Sequence, residues 1–355
     1  MTVELSELLS KLVAAKGSDL HLKTGTPPRG RVDGMLHLLS PTPVDNGTMM
    51  SYVNAVLNEN QRKVLAQNCD IDLMHISEGR RFRVNVFRQD GSIAMVMRVI
   101  PSVIPSIDEL GLPQVLKEIA LTHRGIVLVT GTTGSGKSTT LAAMINHINE
   151  EAACNVITIE DPVEFRHKDK RSLVTHRSVG IDVPSFEHAL KYVLRQDPDI
   201  ILIGEMRDKD TIRTAITASE TGHLVFSTVH TTDAPQTIER IVATFPTDEQ
   251  DQVRIQLSTN ITAVISQRLL KLPEGGRLAA LEIMRSTPTI RKQIFENEIK
   301  KLYGTITEGG SDGMQTFNQV LYKFVEENRI DAQTAMAAAN RPDELMLELR
   351  SNGLT

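Results

Sequence analysis

The chain has no tryptophan, two cysteines and an aromatic content of 4% in 355 residues, and each shortage removes a class of function. Cys69 and Cys154 are too few and too far apart for a disulfide framework or a Cys-x-x-Cys metal element. A reducing, cytoplasmic setting is therefore expected. So few aromatic rings offer no stacking platform for single-stranded nucleic acid. Lys and Arg number 39 against 44 Asp and Glu, and a net charge of −5 argues against a dominant nucleic-acid or anionic-membrane surface. No apolar run approaches a membrane span and no secretory hydrophobic region opens the chain, so direct membrane insertion is not expected. What is present is a globular balance, 40% hydrophobic and 23% charged, with length for two or three domains.

The first hundred residues read as a small α+β module. Val3, Leu5, Leu8, Leu9, Leu12 and Val13 form one helical stripe, and Ser18–Lys23 alternates with period two. Pro27-Pro28 and Gly30 mark a turn. Arg81–Arg88 and Gly91–Ile100 read as two strands joined at Gln89-Asp90-Gly91, and Pro101 and Pro105 mark a linker. From Ile107 onward, buried strands alternate with helical stretches. The candidate strands are Ile126–Thr130, Val156–Glu160, Ile200–Gly204, Leu224–Val229 and Leu278–Met284. This order predicts a largely parallel sheet covered on both faces. Beyond Thr287 the pattern is helical and polar, as in Met314–Glu327 and Asp331–Asn340.

The strongest chemical signal lies between a β-branched run ending at Thr130 and a helical pattern beginning near Lys137. It reads Gly131-Thr132-Thr133-Gly134-Ser135-Gly136-Lys137-Ser138-Thr139. Glycines at these places let successive amides turn toward one anion, and the following helix adds its positive end. The spacing is that of a phosphate-binding loop, with Lys137 for the β and γ phosphates and the Ser138 hydroxyl for Mg²⁺. An ordinary glycine turn gives no reason for Gly-Lys-Ser after a buried strand. The chain is expected to bind a nucleoside triphosphate, ATP with Mg²⁺.

A second signal is the apolar run Ile200–Ile203 delivering Glu205 to its carboxyl end, where ligands of open α/β sheets gather. A carboxylate there can align and deprotonate an attacking water beside the metal. Ile157-Thr158-Ile159-Glu160-Asp161-Pro162-Val163-Glu164 repeats the pattern, so Glu160 and Glu164 are further candidates, while Asp161 can equally cap the following turn. His223 and His230 bracket a strand and can read the γ-phosphate, or each can be a hydrogen-bonded structural histidine. Arg83, Arg98, Arg177, Arg195 and Arg207 are candidates for charge stabilisation, against a plain alternative of ion pairs with the acidic residues.

Together these residues resemble the secretion-superfamily hexameric ATPases, most closely the PilT-type retraction motors of type IV pili. The resemblance runs through Gly17–Leu22, Arg81–Arg88, the Walker A loop, the acidic box Ile157–Phe165 and Leu194–Asp208 around Walker B. It continues through the histidine box from Thr221 to Ala234 and Gly313-Met314-Gln315-Thr316-Phe317. It implies a PAS-like domain over 1–105, a RecA-like ATPase core over 106–287 and a helical C-terminal region over 288–355. It also implies nucleotide held between two domains of a homo-hexamer at the cytoplasmic face of the inner membrane, acting on a pilus platform protein. Glu205 takes the Walker B place, Glu160 and Glu164 the acidic box, and His223 and His230 the histidine box. Arg83, Arg98, Arg177 and Arg195 fall where the family places arginines near the phosphates.

The chain also differs from the family pattern. Thr132 stands where the loop usually has proline, and His176-Arg177-Ser178 replaces Gln-Arg-Glu before Val179-Gly180. Thr289–Glu296 departs from Ala-Ile-Arg-Asn-Leu-Ile-Arg-Glu. The function implied is pilus retraction, with a PilU-like accessory motor dependent on a paralogous ATPase as the alternative. An extension or secretion ATPase fits less well because its four-cysteine element is missing here. A non-hydrolysing ATP-binding regulatory subunit fits poorly with intact Lys137, Glu160 and Glu205.

Overall fold

Phe82, Val84 and Val86 are buried and alternate with the half-buried Arg81, Arg83 and Asn85, so one strand has an apolar face and a polar one. In a computed structural model, which describes residues 3–32, 34–100, 103–272 and 275–354, that strand belongs to the first of two units, Met1–Val103 and Ile104–Thr355. The first unit holds β1 (Asp19–Lys23), β2 (Arg29–Val32), β3 (Met35–Leu38), β4 (Asp70–Ser77), β5 (Arg80–Gln89) and β6 (Ser92–Ile100). They form an antiparallel sheet in the order β3-β2-β1-β6-β5-β4. Helices α1 (Leu5–Ala14), α2 (Asn46–Val56) and α3 (Glu59–Asn68) bring Leu8, Leu12, Met49 and Val53 into one apolar cluster with Leu20, Phe82 and Met97.

The expected hairpin is β5–β6, and the expected first helix is α1. Gly30, however, lies inside β2, and the chain turns earlier, over residues 24–27. A Cβ at Gly30 would stand 2.9 Å from Leu12 Cδ1, so this glycine permits close approach of α1 and makes no turn. Of the two prolines expected to mark a linker, Pro101 lies outside the described residues.

The second unit is built on β7 (Gly125–Thr130), β8 (Asn155–Glu160), β9 (Leu173–Ser178), β10 (Ile200–Ile203), β11 (Leu224–Val229), β12 (Ile261–Lys271) and β13 (Arg277–Arg285). Their order is β13-β12-β7-β11-β10-β8-β9, parallel throughout except that β13 runs antiparallel to β12. Val127, Val129, Val156 and Phe226 pack on the side of α4 (Val115–Ala120) and α5 (Lys137–Glu151). Ile126, Leu128, Ile157 and Val225 pack on the other side with α6 (Phe186–Val193), α7 (Lys209–Glu220), α8 (Ala234–Ala243) and α9 (Gln250–Asn260). Both faces are covered, which is why the central strands read as unbroken apolar runs.

Helices α10 (Pro288–Phe295), α11 (Leu302–Glu308), α12 (Phe317–Glu326), α13 (Ala332–Ala338) and α14 (Pro342–Ser351) follow. The stretch is helical as expected but not simply polar. Phe317, Leu321, Phe324, Ala335, Leu345 and Leu349 close an apolar cluster over Leu270, Leu278 and Ala280 of the β12–β13 hairpin.

Candidate active site

β7 is buried along its whole length and ends where the chain must reverse into α5. Gly131 has φ +142°, and a Cβ there would stand 2.4 Å from the Gln267 carbonyl oxygen and 2.5 Å from Ser135 Oγ. Gly136, the N-cap of α5, has φ +89°, and its Cβ would reach 2.8 Å from Gln267 Nε2. Only glycine fits these two places. No side chain caps α5, so the first amides of the helix stay available to an anion, reinforced by the helix dipole. Ser135 Oγ is buried within the loop with no hydrogen-bond partner among the described residues. Thr132, Thr133, Gly134 and Ser138 are exposed and Thr139 is half-buried.

Lys137 is 8% exposed, and its ammonium donates to the carbonyls of Gly131 at 2.8 Å and Thr132 at 3.0 Å. Burial pushes its pKa below the usual lysine value, while the negative charges of Glu205 and Glu164 push it back up. Those two carboxylates therefore belong to the surroundings of the same ammonium. Beneath the loop, Gln267 of β12 accepts a 2.7 Å hydrogen bond from Thr140 of α5, and Thr130 donates to Ser266 at 2.9 Å. These bonds hold the loop between two fixed strands and a fixed helix. The loop, Lys137 and the open helix end fit the phosphates of a nucleotide.

The carboxylates converge because three parallel strands end together. Ile159 lies beside Ile203, and Ile203 beside Ser227. Gly204 donates its N–H to the Ile159 carbonyl at 2.8 Å, and a Cβ there would stand 3.3 Å from Glu160 Cα. Glycine thus lets the chain after β10 pass close beside Glu160. Ser227 and Thr228 donate to the carbonyls of Ile203 and Gly204, each at 2.7 Å, and the Met206 N–H donates to Thr228. The turn carrying Glu205 is fixed on both sides.

Glu205 is one-fifth exposed, with Arg207 Nη2 at 2.5 Å and His230 Nε2 at 3.3 Å. The Glu164 N–H donates to Glu160 Oε2 at 3.4 Å. Lys137, Glu160, Glu164, Glu205, Arg207 and His230 thus form one neighbourhood.

Other candidates lie elsewhere. His223 precedes β11 and His230 follows it, which separates them by about 20 Å at roughly 3.3 Å per residue. The His223 imidazole instead binds the Ala218 carbonyl at 2.9 Å and the Thr221 hydroxyl at 3.1 Å, closing the end of α7. In this chain its bonds are those of a structural histidine. Arg195 is exposed, its guanidinium 5.9 Å from the Tyr192 ring. Arg177, on β9, has a buried Nη1 without a partner among the described residues. In the first unit, Arg83 and Arg98 face each other across β5 and β6. Arg98 binds Asp19 at 2.7 Å, and Arg83 approaches Asp72 at 3.9 Å. Gln267 and Gly204 escaped the sequence reading. The polar Ser266-Gln267 pair interrupting an apolar strand was the available signal for the first.

A family model described as "Type II/IV secretion system protein" matches residues 2–302. The chain belongs to this family. Within it, the type IV pilus retraction ATPase PilT of Pseudomonas aeruginosa is 45% identical over 96% of this chain and 99% of its own length. The type IV pilus ATPase PilU of the same organism is 40% identical over 98% of this chain and 92% of its own. A crystal structure of the pilus retraction motor PilT with bound ADP superposes with a TM-score of 0.90 at 43% identity, covering 96% of this chain and 98% of that one. The chain therefore has the PilT architecture, with a PAS-like first unit and a RecA-like ATPase core in the second.

Proposed function

We propose that this protein is an ATP-hydrolysing motor that drives type IV pilus retraction in twitching motility. The observation that carries the reading is the meeting of the Gly131–Ser138 loop, Lys137 and Glu205 at one end of the parallel sheet, in a chain 45% identical to a retraction ATPase. The open amides of α5 and the Lys137 ammonium bind the phosphates, the ammonium exchanging its two loop carbonyls for phosphate oxygens. Among the described residues no group of three His, Cys, Asp or Glu side chains can hold a metal, so Mg²⁺ would rest on phosphate oxygens and the Ser138 hydroxyl, with Glu205 nearby. Bound there, the ion supplies charge neutralisation to the phosphates.

Glu205 accepts the proton of the attacking water, oriented by Arg207 and His230. Glu160 and Glu164 would hold that water or, with Mg²⁺ bound, the water around it. The remaining positive charge comes from Arg177, Arg195, Arg83 and Arg98, some of them across subunits. In this reading the domains span 1–105, 106–287 and 288–355, and six copies form a ring on the cytoplasmic face of the inner membrane against the pilus platform. Among the described residues no helix is long and apolar enough to cross a membrane.

The test is steady-state ATP hydrolysis by the purified chain. Lys137→Ala should abolish nucleotide binding, and Glu205→Gln should bind ATP normally while losing about 10²–10⁴ in kcat. Unchanged turnover in Glu205→Gln removes it as the base. Deleting the gene and complementing with wild type or Lys137→Ala should give excess, non-retracting pili wherever turnover is lost, and bald cells would point to extension. The 40% identity to PilU over 98% of the chain supports a second reading, an accessory motor. In that case retraction would require a paralogous ATPase in the same cell.

A further inference from the structure

We propose that His176 is a positioning residue for the hydrolytic site, its neutral imidazole tying the segment after Glu160 to β9 and so fixing both Glu164 and Arg177. What is positioned rests on the ATPase reading, but the tie itself stands on geometry. β9 is the terminal strand of its sheet, paired with β8 so that Thr158 lies beside His176 and Ile159 beside Arg177. The backbone N–H of His167 donates to His176 Nε2 at 3.1 Å. A ring nitrogen that accepts from an amide carries no proton, so the imidazole proton is on Nδ1. Nδ1 then donates to Thr158 Oγ1, also at 3.1 Å.

One ring thus joins three segments: β8, which ends in Glu160, the loop carrying Glu164, and the edge strand carrying Arg177. The His167 ring stacks on it, with centroids 5.7 Å apart and planes at 14°. Strand alternation sends Arg177 to the opposite face from His176, where its buried Nη1 has no partner among the described residues. Loosening His176 frees the loop on one face and the guanidinium on the other.

The tie requires an uncharged ring. A proton on Nε2 would set two N–H groups against each other. Beside it, the His167 ring is kept neutral, its pKa held down to about 3 chiefly by burial.

The experiment uses the full chain as wild type, His176→Gln and His176→Ala. A glutamine amide can accept from His167 and donate to Thr158, so it can replace both bonds of the ring. Near pH 8, His176→Ala should lose about tenfold in kcat with KM for ATP changed less than about twofold, and His176→Gln should keep kcat. Full kcat in His176→Ala, or equal losses in both variants, overturns the proposal.

Hydrogen exchange of the peptide spanning 162–168 reads the tie without any turnover. Its protection should fall about tenfold in His176→Ala and persist in His176→Gln. Protection unchanged in His176→Ala overturns the proposal even if no ATP is hydrolysed. A wild type that hydrolyses nothing while keeping the protection pattern strikes the ATPase reading alone.

Discussion

Glu282 on β13 is fully buried, and replacing it by glutamine should stabilise the protein in a pH-dependent way. Its Oε1 accepts the Ala234 N–H at 2.9 Å, at the start of α8. Burial raises its pKa from 4.5 to about 7, and the nearby charge of Asp233 adds to the rise. The Ala234 and Phe317 amides and the Arg268 guanidinium pull the other way without overcoming it. In the unfolded chain the carboxyl loses its proton near 4.5, while in the fold it keeps it to about 7. The folded state binds the extra proton, so stability is full below the unfolded value and is lost as pH rises through the folded one. The shift of about 2.5 pKa units corresponds to roughly 3 kcal/mol above both values.

Glutamine mimics the protonated acid and keeps the acceptor for Ala234. Glu282→Gln should therefore gain about 3 kcal/mol near pH 8 and under about 1 kcal/mol near pH 5. Urea unfolding followed by circular dichroism measures this, since the chain offers no tryptophan. If the acid were ionised and matched to Arg268, the substitution would instead strand a buried guanidinium and destabilise most at high pH. A loss near pH 8, or the same gain at both pH values, refutes the reasoning.

Two further outcomes follow from the site's geometry. Gly131→Ala should cost about 2–4 kcal/mol and reduce nucleotide affinity, because its Cβ meets the β12 backbone, which cannot swing aside; thermal unfolding with and without ATP checks both effects. His230→Ala should lower kcat by about tenfold or more, whereas His223→Ala should change kcat by less than about threefold and cost about 1 kcal/mol from its lost bond to Ala218; equal effects on turnover would show that His223 acts at a site.

The sequence was most legible where one local rule decides the structure. The loop, β7 and α5 were readable because glycine spacing, an apolar run and a helical pattern agree. β10 and β11 were readable because both their faces are buried. Two strands of the same sheet were not. β9, Leu-Val-Thr-His-Arg-Ser, is an edge strand whose polar residues serve Thr158 and the His167 amide, so it lacks an apolar run. β12 continues directly from α9, and Ser266-Gln267-Arg268 breaks its apolar pattern for partners 70 or more residues away, at Thr130, Thr140 and Asn340. The histidines show the same limit. They look equivalent in sequence, yet they sit at opposite ends of β11, and only His230 reaches Glu205.

The charges at the site bear on what must complete it. Lys137 and Arg207 bring two positive charges against three negative ones on Glu160, Glu164 and Glu205. A nucleoside triphosphate adds roughly four more negative charges and its Mg²⁺ returns two, leaving a deficit of about three positive charges before the transition state forms. The loop amides and helix dipole supply only partial charge, about half a unit. Arg177, whose buried Nη1 has no partner among the described residues, is a further cation on β9. The remainder must come from cations outside this neighbourhood. Arg83 and Arg98 of the first unit are the candidates whose substitution tests this. Arg98 is held by Asp19, a buried carboxylate whose pKa burial raises but which the Ser18 and Arg98 hydrogen bonds lower on balance. Arg98→Lys, which retains the charge but loses the guanidinium fork, should therefore weaken hydrolysis more than ATP binding, and equal loss of both would place Arg98 in the fold of the first unit alone.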